Sequence, residues 1–480
     1  MPMPADLLKF VELAQRRPPQ RPAETRRRDF AEIYDEFAPE RAAEQASRCS
    51  QCGIPFCQVH CPLHNNIPDW LKLTAEGRLE EAYELASATN TFPEICGRIC
   101  PQDRLCEGNC VIEKGFESVT IGAVERYITE TAFENGWVAG PRPPRERDAS
   151  IGIVGAGPAG LAAADLLRRH GYQITVYDRH DRVGGLLTYG IPNFKLEKSI
   201  IARRAELLEE SGVVFRLDTE IGRDIGFADL RGRHDAVLIA TGVYKARDMK
   251  APGIGLPGIV PALDFLIASN RKGLGDAVPA FDAGTLDGRD KHVVVIGGGD
   301  TAMDCVRTAV RQGARQVTCL YRRDRGNMPG SQREVGYAID EGVVFEFLSA
   351  PEAFLGNDRV EAVRAVRMRL GAPDASGRLT PQTVEGSDFR IEADLVLMAL
   401  GFDPEPIAER FAEPSLETTR WGTLKTAFLT GATSLPDVWA AGDIVRGASL
   451  VVWAIRDGRD AATAIHQQLE ARASGAVAAE

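Results

Sequence analysis

Two patterns of apolar and polar positions divide the chain near residue 150. Before that point the apolar residues recur at helical spacing, as in residues 69–87 and Ile121–Glu134, which predicts short helices. After it, short β-branched runs lead into glycine-rich turns and then into helical patterns, which is typical of a parallel sheet covered by helices. Residues 139–147, AGPRPPRER, separate the two regions and are typical of a linker.

The strand-and-turn pattern of the second region occurs twice. Residues 293–299, VVVIGGG, repeat the arrangement of residues 151–157, IGIVGAG, and a later apolar strand that ends in glycine follows each of them. We interpret each glycine turn and the later strand that follows it as the two ends of one nucleotide-binding unit. We therefore predict an α/β fold with a helical N-terminal domain and two Rossmann-like domains with parallel sheets. Their predicted bounds are 1–145 for the helical domain, 146–250 with 425–480 for the first nucleotide domain, and 251–424 for the second.

The first glycine turn has the spacing GxGxxG at Gly155, Gly157 and Gly160, between a strand and a helix. These glycines allow a tight turn, close approach of the backbone to a pyrophosphate, and close packing of helix on strand. The helix N-terminus adds unpaired N–H groups and partial positive charge for the phosphates. Asp178 ends the next strand, where a carboxylate accepts hydrogen bonds from a ribose diol and repels a 2′-phosphate. The first turn therefore predicts FAD or NAD, and not NADP.

Later glycines favour FAD at this first site. Residues 182–187, RVGGLL, predict a second close approach of the backbone, and a short apolar strand near the C-terminus ends in Gly442 and Asp443. Asp443 is expected to bond the ribityl chain, and a helix from about Ser449 is expected to direct its N-terminus at the pyrimidine end of the flavin. The predicted FAD-binding residues are Gly155, Gly157, Gly160, Asp178, Arg182, Gly185, Thr241, Gly242, Gly442 and Asp443.

The second glycine turn predicts NADPH. Its third fingerprint position is Ala302, which the motif allows. The next strand ends in Arg322 and Arg323, at the place that Asp178 occupies in the first unit. Guanidinium groups bind phosphate through bidentate, charge-assisted hydrogen bonds, so recognition of a diol is replaced by recognition of a 2′-phosphate. The predicted NADPH-binding residues are Gly297, Gly299, Asp300, Thr301, Arg322 and Arg323.

Charge and hydropathy exclude two classes of partner. The formal net charge of −11 argues against nucleic acid, and we expect the basic run at Arg26, Arg27 and Arg28 to be a solvated or partner-docking face. The sequence has no apolar run of about 18 residues, so no membrane span is expected. The N-terminal residues have charges within their apolar stretch and no small-residue cleavage site, so no signal peptide is predicted. We therefore expect a cytoplasmic protein.

Eight of the ten cysteines lie between Cys49 and Cys110. In a reducing compartment such a cluster is expected to bind metal rather than to form disulfides. The spacing contains one C-x2-C pair and two Cys-Pro steps, which favours two [4Fe-4S] clusters over zinc or inert thiols. His60 and His64 are expected to face solvent or to cap helices. The candidate ligands are Cys49, Cys52, Cys57, Cys61, Cys96, Cys100, Cys106 and Cys110.

These motifs together resemble the small-subunit family of bacterial NADPH-dependent glutamate synthase along nearly the whole chain. The same module is similar to the N-terminal half of dihydropyrimidine dehydrogenase and to the large subunit of ferredoxin–NADP oxidoreductases. The matching stretches are Cys49 to Pro62, ICGRICP from Ile95, IVGAGPAGL from Ile153, LTYGIP from Leu187, VIGGGDTAMD from Val295 and AGD from Ala441.

The resemblance implies a path of electrons from NADPH to FAD, then to the clusters, and then to a large partner subunit. That partner makes L-glutamate from L-glutamine and 2-oxoglutarate. No side-chain acid or base is required, because the cofactors carry the chemistry. The resemblance also implies that one cluster uses Cys49, Cys52, Cys57 and Cys110.

The other cluster, by the same resemblance, uses Cys61, Cys100 and Cys106. Its fourth ligand is Glu125 or Cys96, with a slight preference for Glu125.

Three alternative functions remain open from the sequence. The chain could serve a ferredoxin–NADP(H) oxidoreductase or a dihydropyrimidine dehydrogenase-like complex, and the arginines at the second turn do not separate these from glutamate synthase. A self-contained thiol reductase would need a redox pair inside a nucleotide domain, for which Cys305 and Cys319 are too isolated. A zinc-bound scaffold with degenerate nucleotide folds is the third alternative.

Overall fold

The computed structural model describes residues 9–374 and 377–475. Up to residue 134 the described chain is helical, because short apolar stripes pack around one another rather than into a sheet. The helices are α1 (Ala23–Arg26), α2 (Pro39–Ala46), α3 (Phe56–Val59), α4 (Ile67–Ala75), α5 (Leu79–Thr89), α6 (Pro93–Ile99), α7 (Glu113–Phe116) and α8 (Ile121–Glu134), with a 3-10 helix at Lys9–Val11.

The prediction of short helices is confirmed for α8 and for residues 69–87. In the second stretch the chain forms two helices, α4 and α5, with a turn at Gly77, whose φ is +74°. Glycine adopts this left-handed conformation without the steric penalty of a Cβ, so it ends the first helix. The core between these helices contains Trp70, which is fully buried and donates its indole N–H to Asn65 Oδ1 at 2.7 Å.

From residue 150 strands and helices alternate, as the sequence predicts. In chain order they are β1 (Ser150–Val154), α9 (Pro158–Arg169), β2 (Gln173–Tyr177), α10 (Leu186–Tyr189), α11 (Lys198–Glu210), β3 (Val214–Arg216), α12 (Phe227–Arg233), β4 (Ala236–Ile239), β5 (Lys245–Ala246), β6 (Ile259–Pro261), α13 (Ala262–Gly273), α14 (Pro279–Asp282), β7 (His292–Ile296), α15 (Asp300–Gln312), β8 (Gln316–Tyr321), α16 (Gln332–Asp340), β9 (Val344–Phe347), β10 (Ser349–Leu355), β11 (Ala362–Pro373), β12 (Leu379–Glu392), β13 (Leu395–Met398), β14 (Phe402–Asp403), α17 (Ile407–Arg410), β15 (Val438–Ala440), α18 (Asp443–Arg446) and α19 (Val451–Ala473).

Two five-stranded sheets form the centres of the two nucleotide units. The first has the order β15-β4-β1-β2-β3 and the second β6-β13-β7-β8-β9, and every neighbouring pair in both is parallel. The glycine turns after β1 and β7 therefore lie at equivalent places, at the carboxyl ends of central strands, where α/β sheets bind ligands. The predicted fold class is confirmed.

The first sheet is completed by the C-terminal part of the chain. Strand β15 pairs with β4, and α19 packs along α9 so closely that a Cβ added at Gly458 would lie 2.1 Å from the Ala159 carbonyl oxygen. The first nucleotide unit is therefore built from two separate parts of the sequence.

An antiparallel sheet of three strands, β10-β11-β12, is attached to the second unit. No pattern in the sequence predicts this sheet, because β12 is largely exposed and lacks a continuous apolar face. None of the helices among the described residues is long and apolar enough to cross a bilayer.

A buried group of ion pairs joins the N-terminal segment to the second nucleotide unit. Glu341 Oε1 lies 2.9 Å from Arg307 Nη2 and 3.2 Å from Arg26 Nε, and Glu341 Oε2 lies 2.7 Å from Arg311 Nη1. Both Glu341 and Arg307 are completely buried, and Arg26 is 2% exposed. The expectation that Arg26 belongs to a solvated face is therefore wrong, because a carboxylate distant in sequence neutralises it.

We predict that Glu341→Gln lowers the thermal unfolding midpoint. Losing the buried carboxylate removes the anion that three guanidinium groups share. Arg307 and Arg26 keep Glu334 and Asp340 as partners, but the buried charge of Arg311 loses its counter-charge, and breaking such a buried pair typically costs about 3–5 kcal/mol. Burial alone would raise the pKa of Glu341, but hydrogen bonds from Arg311 and Arg307 lower it to about 2 from 4.5. The stabilisation is thus complete above the unfolded-state pKa and is lost as pH falls towards 2.

Thermal unfolding followed by circular dichroism at neutral and acidic pH measures this effect. Glu24→Gln is the matched control, because Glu24 is 76% exposed and lies 3.9 Å from Arg27. Equal midpoints for Glu341→Gln and the control at neutral pH would contradict the role assigned to the buried group.

Candidate functional site

One cavity lies where the two nucleotide units and the cysteine-rich unit meet. Residues of both turns and one cysteine line it, although Gly297 and Gly299 of the second turn are not in the lining among the described residues. Residues that are far apart in sequence thus share a single space. The predicted site residues in its lining are Gly155, Gly157, Asp178, Thr241, Gly242, Asp443, Asp300, Thr301 and Cys100.

The three glycines of the first turn have different surroundings. Gly155 has a φ of +112°, and a Cβ there would lie 2.3 Å from the Ala240 carbonyl oxygen. A Cβ at Gly160 would lie 2.0 Å from the Gly155 carbonyl oxygen, so this glycine allows the helix to pack on the turn. A Cβ at Gly157 would have no neighbour within 4 Å, so its backbone borders open space. That space is a cradle of the kind that a pyrophosphate requires.

Asp178 is fixed at the edge of this cradle. Its Oδ2 accepts a 2.7 Å hydrogen bond from the Ala156 backbone N–H, and its Oδ1 accepts one of 2.9 Å from the His180 backbone N–H. The carboxylate is 8% exposed and lines the cavity. Its orientation is therefore set by the turn itself.

The structure places Arg182 differently from the other predicted FAD residues. Its guanidinium lies 2.7 Å from Asp276 Oδ1 and 2.8 Å from Asp181 Oδ2, and Arg182 is not part of the cavity lining among the described residues. Gly185, which is also outside that lining, has a φ of +54° and packs against Gly157. Arg182 thus supports the loop, and Gly185 supports the glycine turn.

The far wall of the first site carries polar groups that fit a flavin. The Thr241 hydroxyl is buried and has no hydrogen-bond partner among the described residues. Burial, with a smaller contribution from Asp457, raises the pKa of Asp443 to about 7. Gly442 has a φ of +78° and packs on Ala159. An unpaired hydroxyl, a desolvated carboxyl and an open glycine cradle together suit the hydroxyls and phosphates of FAD.

The second turn repeats the open cradle. A Cβ at Gly297 would lie 2.3 Å from the Ala399 carbonyl oxygen, whereas one at Gly299 would meet nothing within 4 Å. Asp300 Oδ1 accepts a 2.9 Å hydrogen bond from the Ser331 backbone N–H. Asp300 and Thr301 begin α15 and line the cavity, so the helix N-terminus faces the space that a dinucleotide would occupy.

The two arginines after β8 have unequal exposure. Arg322 is exposed, whereas Arg323 is 8% exposed and donates Nε–H to the Leu379 carbonyl oxygen at 2.8 Å. The backbone of β12 therefore holds Arg323 beside Arg322 at the strand end. The pair lies outside the central cavity lining among the described residues, and its role at a 2′-phosphate stays a prediction.

The eight N-terminal cysteines fall into two neighbourhoods, and the first contains Cys49, Cys52, Cys57 and Cys110. Burial, followed by the charges of Cys110, Cys49 and Cys52, raises the pKa of the Cys57 thiol to about 12. Burial raises the pKa of Cys49 to about 11, with further contributions from Cys110 and Cys52. Cys49 and Cys57 therefore lie close enough to Cys52 and Cys110 to be affected by their charges. His60 and His64, as expected, are exposed beside this neighbourhood.

The second neighbourhood surrounds a small buried cavity. A hydrogen bond with Cys96 and then burial raise the pKa of Cys100 well above its usual value, and Glu125 and Cys106 add to the effect. Cys61, Cys96, Cys100, Cys106 and Glu125 all line this cavity. Cys100 also lines the large cavity, so the second neighbourhood is the one next to the nucleotide sites.

Glu125 and Cys96, the two candidates for one ligand position, share a partner. Asn90 Nδ2 donates to Glu125 Oε1 at 3.1 Å, and Cys96 Sγ lies 3.7 Å from Asn90 Oδ1. Burial raises the pKa of Glu125 to about 8. Within the described ranges no three His, Cys, Asp or Glu side chains are placed to hold a single metal ion. A cubane cluster sets its ligands further apart, because each thiolate binds a different iron.

The side chains of the large cavity that were not predicted from the sequence include Tyr244, Lys195, Asp304 and Glu334. Asp304 lies one helical turn after Asp300, so its spacing could have placed it on the same face of α15. Lys195 and Glu334 come from separate loops and helices, and no local pattern brings them to this cavity.

Two family descriptions match the chain. Residues 26–137 match dihydropyrimidine dehydrogenase domain II, 4Fe-4S cluster, and residues 149–458 match pyridine nucleotide-disulphide oxidoreductase. Among solved structures, Mycobacterium tuberculosis FprA in complex with NADPH is similar with a TM-score of 0.59 and 21% identity. The match covers 70% of this chain and 87% of that one. This likeness concerns the fold alone.

Curated relatives match over the full length. The glutamate synthase [NADPH] small chain of Azospirillum brasilense is 64% identical over 98% of both chains. That of Escherichia coli (strain K12) is 47% identical over 98% of this chain and 100% of its own length. The resemblance drawn from the motifs is confirmed: the chain belongs to the family of NADPH-dependent glutamate synthase small chains.

Proposed function

We propose that the chain is the electron-input subunit of an NADPH-dependent glutamate synthase. It oxidises NADPH at FAD and passes electrons through two [4Fe-4S] clusters to a large subunit, which makes L-glutamate from L-glutamine and 2-oxoglutarate. The observation that carries the proposal is the single cavity lined by Gly155 and Gly157 of the first turn, by Asp300 and Thr301 of the second, and by Cys100. Bound FAD would accept two electrons as a hydride and release them one at a time, because the clusters accept single electrons.

The first nucleotide unit would hold FAD through backbone and carboxylate groups. The open backbone at Gly157 and the N-terminus of α9 face the pyrophosphate, and Asp178 accepts hydrogen bonds from the ribose. Thr241 supplies its unpaired hydroxyl. The carboxyl of Asp443, with a pKa of about 7, can accept or donate a hydrogen bond at the ribityl hydroxyls.

The second unit would hold NADPH in the same manner at its pyrophosphate. Gly299 and the N-terminus of α15 face the phosphates, while Arg322 and Arg323 bind the 2′-phosphate. Because the two turns border one cavity, the nicotinamide and the flavin can lie against each other. The contribution of these residues is therefore orientation.

The two cysteine neighbourhoods support the crossed ligand sets. We assign Cys49, Cys52, Cys57 and Cys110 to one cluster, and the second neighbourhood to the other. In the second, Glu125 is the better fourth ligand on physical grounds. A buried carboxyl group is ionised only where a cation binds it, and iron would supply that cation, whereas a buried thiol such as Cys96 is stable as a small apolar side chain. Among the described residues, the hydrogen-bond donor to Glu125 is the neutral amide of Asn90.

Partner and compartment follow from the same proposal. The names of the relatives describe a small chain, so a large subunit is the electron acceptor. Free cysteines in both neighbourhoods fit a reducing cytoplasm. Co-expression with candidate large subunits tests the assignment: a glutaminase-bearing flavoprotein should co-purify and form glutamate from NADPH. Reduction of ferredoxin or of a pyrimidine, without glutamate formation, would favour the alternative complexes.

Replacing both Arg322 and Arg323 by alanine should raise the KM for NADPH about 10–100-fold, because charge-assisted hydrogen bonds to the 2′-phosphate are lost. The KM for NADH, which lacks this phosphate, should change little. Steady-state reduction of a dye acceptor measures both constants. Arg420→Ala, which removes an exposed arginine stacked on Trp421, is the control. An equal rise for both dinucleotides would refute 2′-phosphate recognition.

Cys106→Ala should remove about half of the bound iron and block electron exit, while NADPH still reduces the flavin. Iron analysis and anaerobic absorbance spectra report the two results separately. Cys305→Ala, in the buried core of the second unit, should keep the full iron content. Loss of flavin reduction in Cys106→Ala would show that the order of carriers is wrong.

Glu125→Ala and Cys96→Ala separate the two candidates for the fourth ligand. We expect Glu125→Ala to lose iron and to change the electron paramagnetic resonance of the reduced protein, because a cluster ligand has been removed. Cys96→Ala should leave the iron content and the electron paramagnetic resonance unchanged, because on this assignment it deletes a buried sulfur that does not bind the cluster. The opposite pattern would assign Cys96 to the cluster.

A further inference from the structure

Three charged side chains meet in the large cavity between the two nucleotide units. Lys195 Nζ lies 2.9 Å from Asp304 Oδ1 and 3.7 Å from Glu334 Oε2. Lys195 comes from the first unit, just after the segment that forms the flavin-side wall, whereas Asp304 and Glu334 lie on α15 and α16 of the second unit. Their side chains are 10–14% exposed. We call these residues the Lys195 triad.

The triad retains acceptor capacity. Hydrogen bonds and ion pairs within the described residues engage Oδ1 of Asp304 and Oε2 of Glu334, and the latter also accepts from Arg307 Nη1 at 2.6 Å. The second oxygen of each carboxylate is therefore available to a donor in the cavity. Lys195, whose ammonium has three donors, can serve an acceptor as well.

The position of the triad indicates which end of a bound dinucleotide would contact it. Asp304 follows Asp300 by four residues, which is about 6 Å along the helix away from the phosphate-facing N-terminus. Arg322 and Arg323 lie at the end of a different strand, outside the cavity lining. A dinucleotide with its pyrophosphate at Gly299 and its 2′-phosphate at these arginines would therefore place its other end at the triad.

We propose that the Lys195 triad binds the nicotinamide carboxamide of NADPH. A primary amide carries both a donor and an acceptor, and the triad offers carboxylate oxygens for the first and an ammonium for the second. Because Lys195 belongs to the flavin unit, the same contacts orient the nicotinamide against the flavin. The inference rests on the proposed NADPH site, which it extends from the phosphates to the reactive ring.

Isothermal titration of the flavin-loaded protein with NADP⁺ and with 2′,5′-ADP tests the triad. Both ligands carry the 2′-phosphate, but 2′,5′-ADP lacks the nicotinamide. Asp304→Asn and Lys195→Met should weaken NADP⁺ binding about 5–100-fold, the usual range for losing a charge-assisted hydrogen bond in a buried site. They should leave the affinity for 2′,5′-ADP unchanged, which also shows that the variants are folded.

Two further variants serve as controls for this titration. Lys272→Met, which removes a partly exposed lysine paired with Asp282, should leave both affinities unchanged. Arg322→Ala should weaken both ligands alike. Unchanged NADP⁺ binding in the triad variants, or parallel losses for both ligands, would overturn the triad proposal alone. If the unmodified protein bound neither ligand, the proposed NADPH site itself would fail and the triad with it.

Discussion

Cys100 belongs to two cavities at once, and the proposed function depends on this shared wall. The residue lines the large cavity of the nucleotide turns and the small cavity of the second cysteine neighbourhood. Gln102 and Val452 line both as well, so residues of the cysteine unit and of α19 meet at one boundary. A flavin and a cluster on either side of it would be neighbours. Without this wall, the cysteine unit and the nucleotide units would be separate sites.

Buried charge pairs hold the wall in place. Arg98, between Cys96 and Cys100, lies 2.7 Å from Glu32 and 2.9 Å from Glu130. Arg333 of the second nucleotide unit lies 2.8 Å from Glu107, the neighbour of Cys106. Such pairs cost desolvation and require good geometry, so they fix the loops that carry the cysteines rather than merely adding stability.

The sequence predicts the two parallel sheets, but not the antiparallel one, because β-branched runs bounded by glycine leave little freedom in where a strand begins and ends. Strand β2 ends at Tyr177, directly before Asp178, and strand β8 ends at Tyr321, directly before Arg322, which is within one or two residues of the strand ends expected from the sequence. One failure concerns a contact between distant segments. Arg26, expected at a solvated or partner-docking face, is buried because it pairs with Glu341. Local patterns indicate where a strand and a turn lie along the chain. They do not indicate which distant residue forms an ion pair with a given charged side chain.

The central claim is that electrons reach the cysteine unit through the flavin in the shared cavity. Anaerobic rapid mixing of NADPH with the protein before and after removal of its flavin tests this claim, with cluster reduction followed by electron paramagnetic resonance. We predict cluster reduction in the flavin-containing protein and none after flavin removal, with recovery when FAD is restored. Cluster reduction by NADPH at an unchanged rate without flavin would contradict the account.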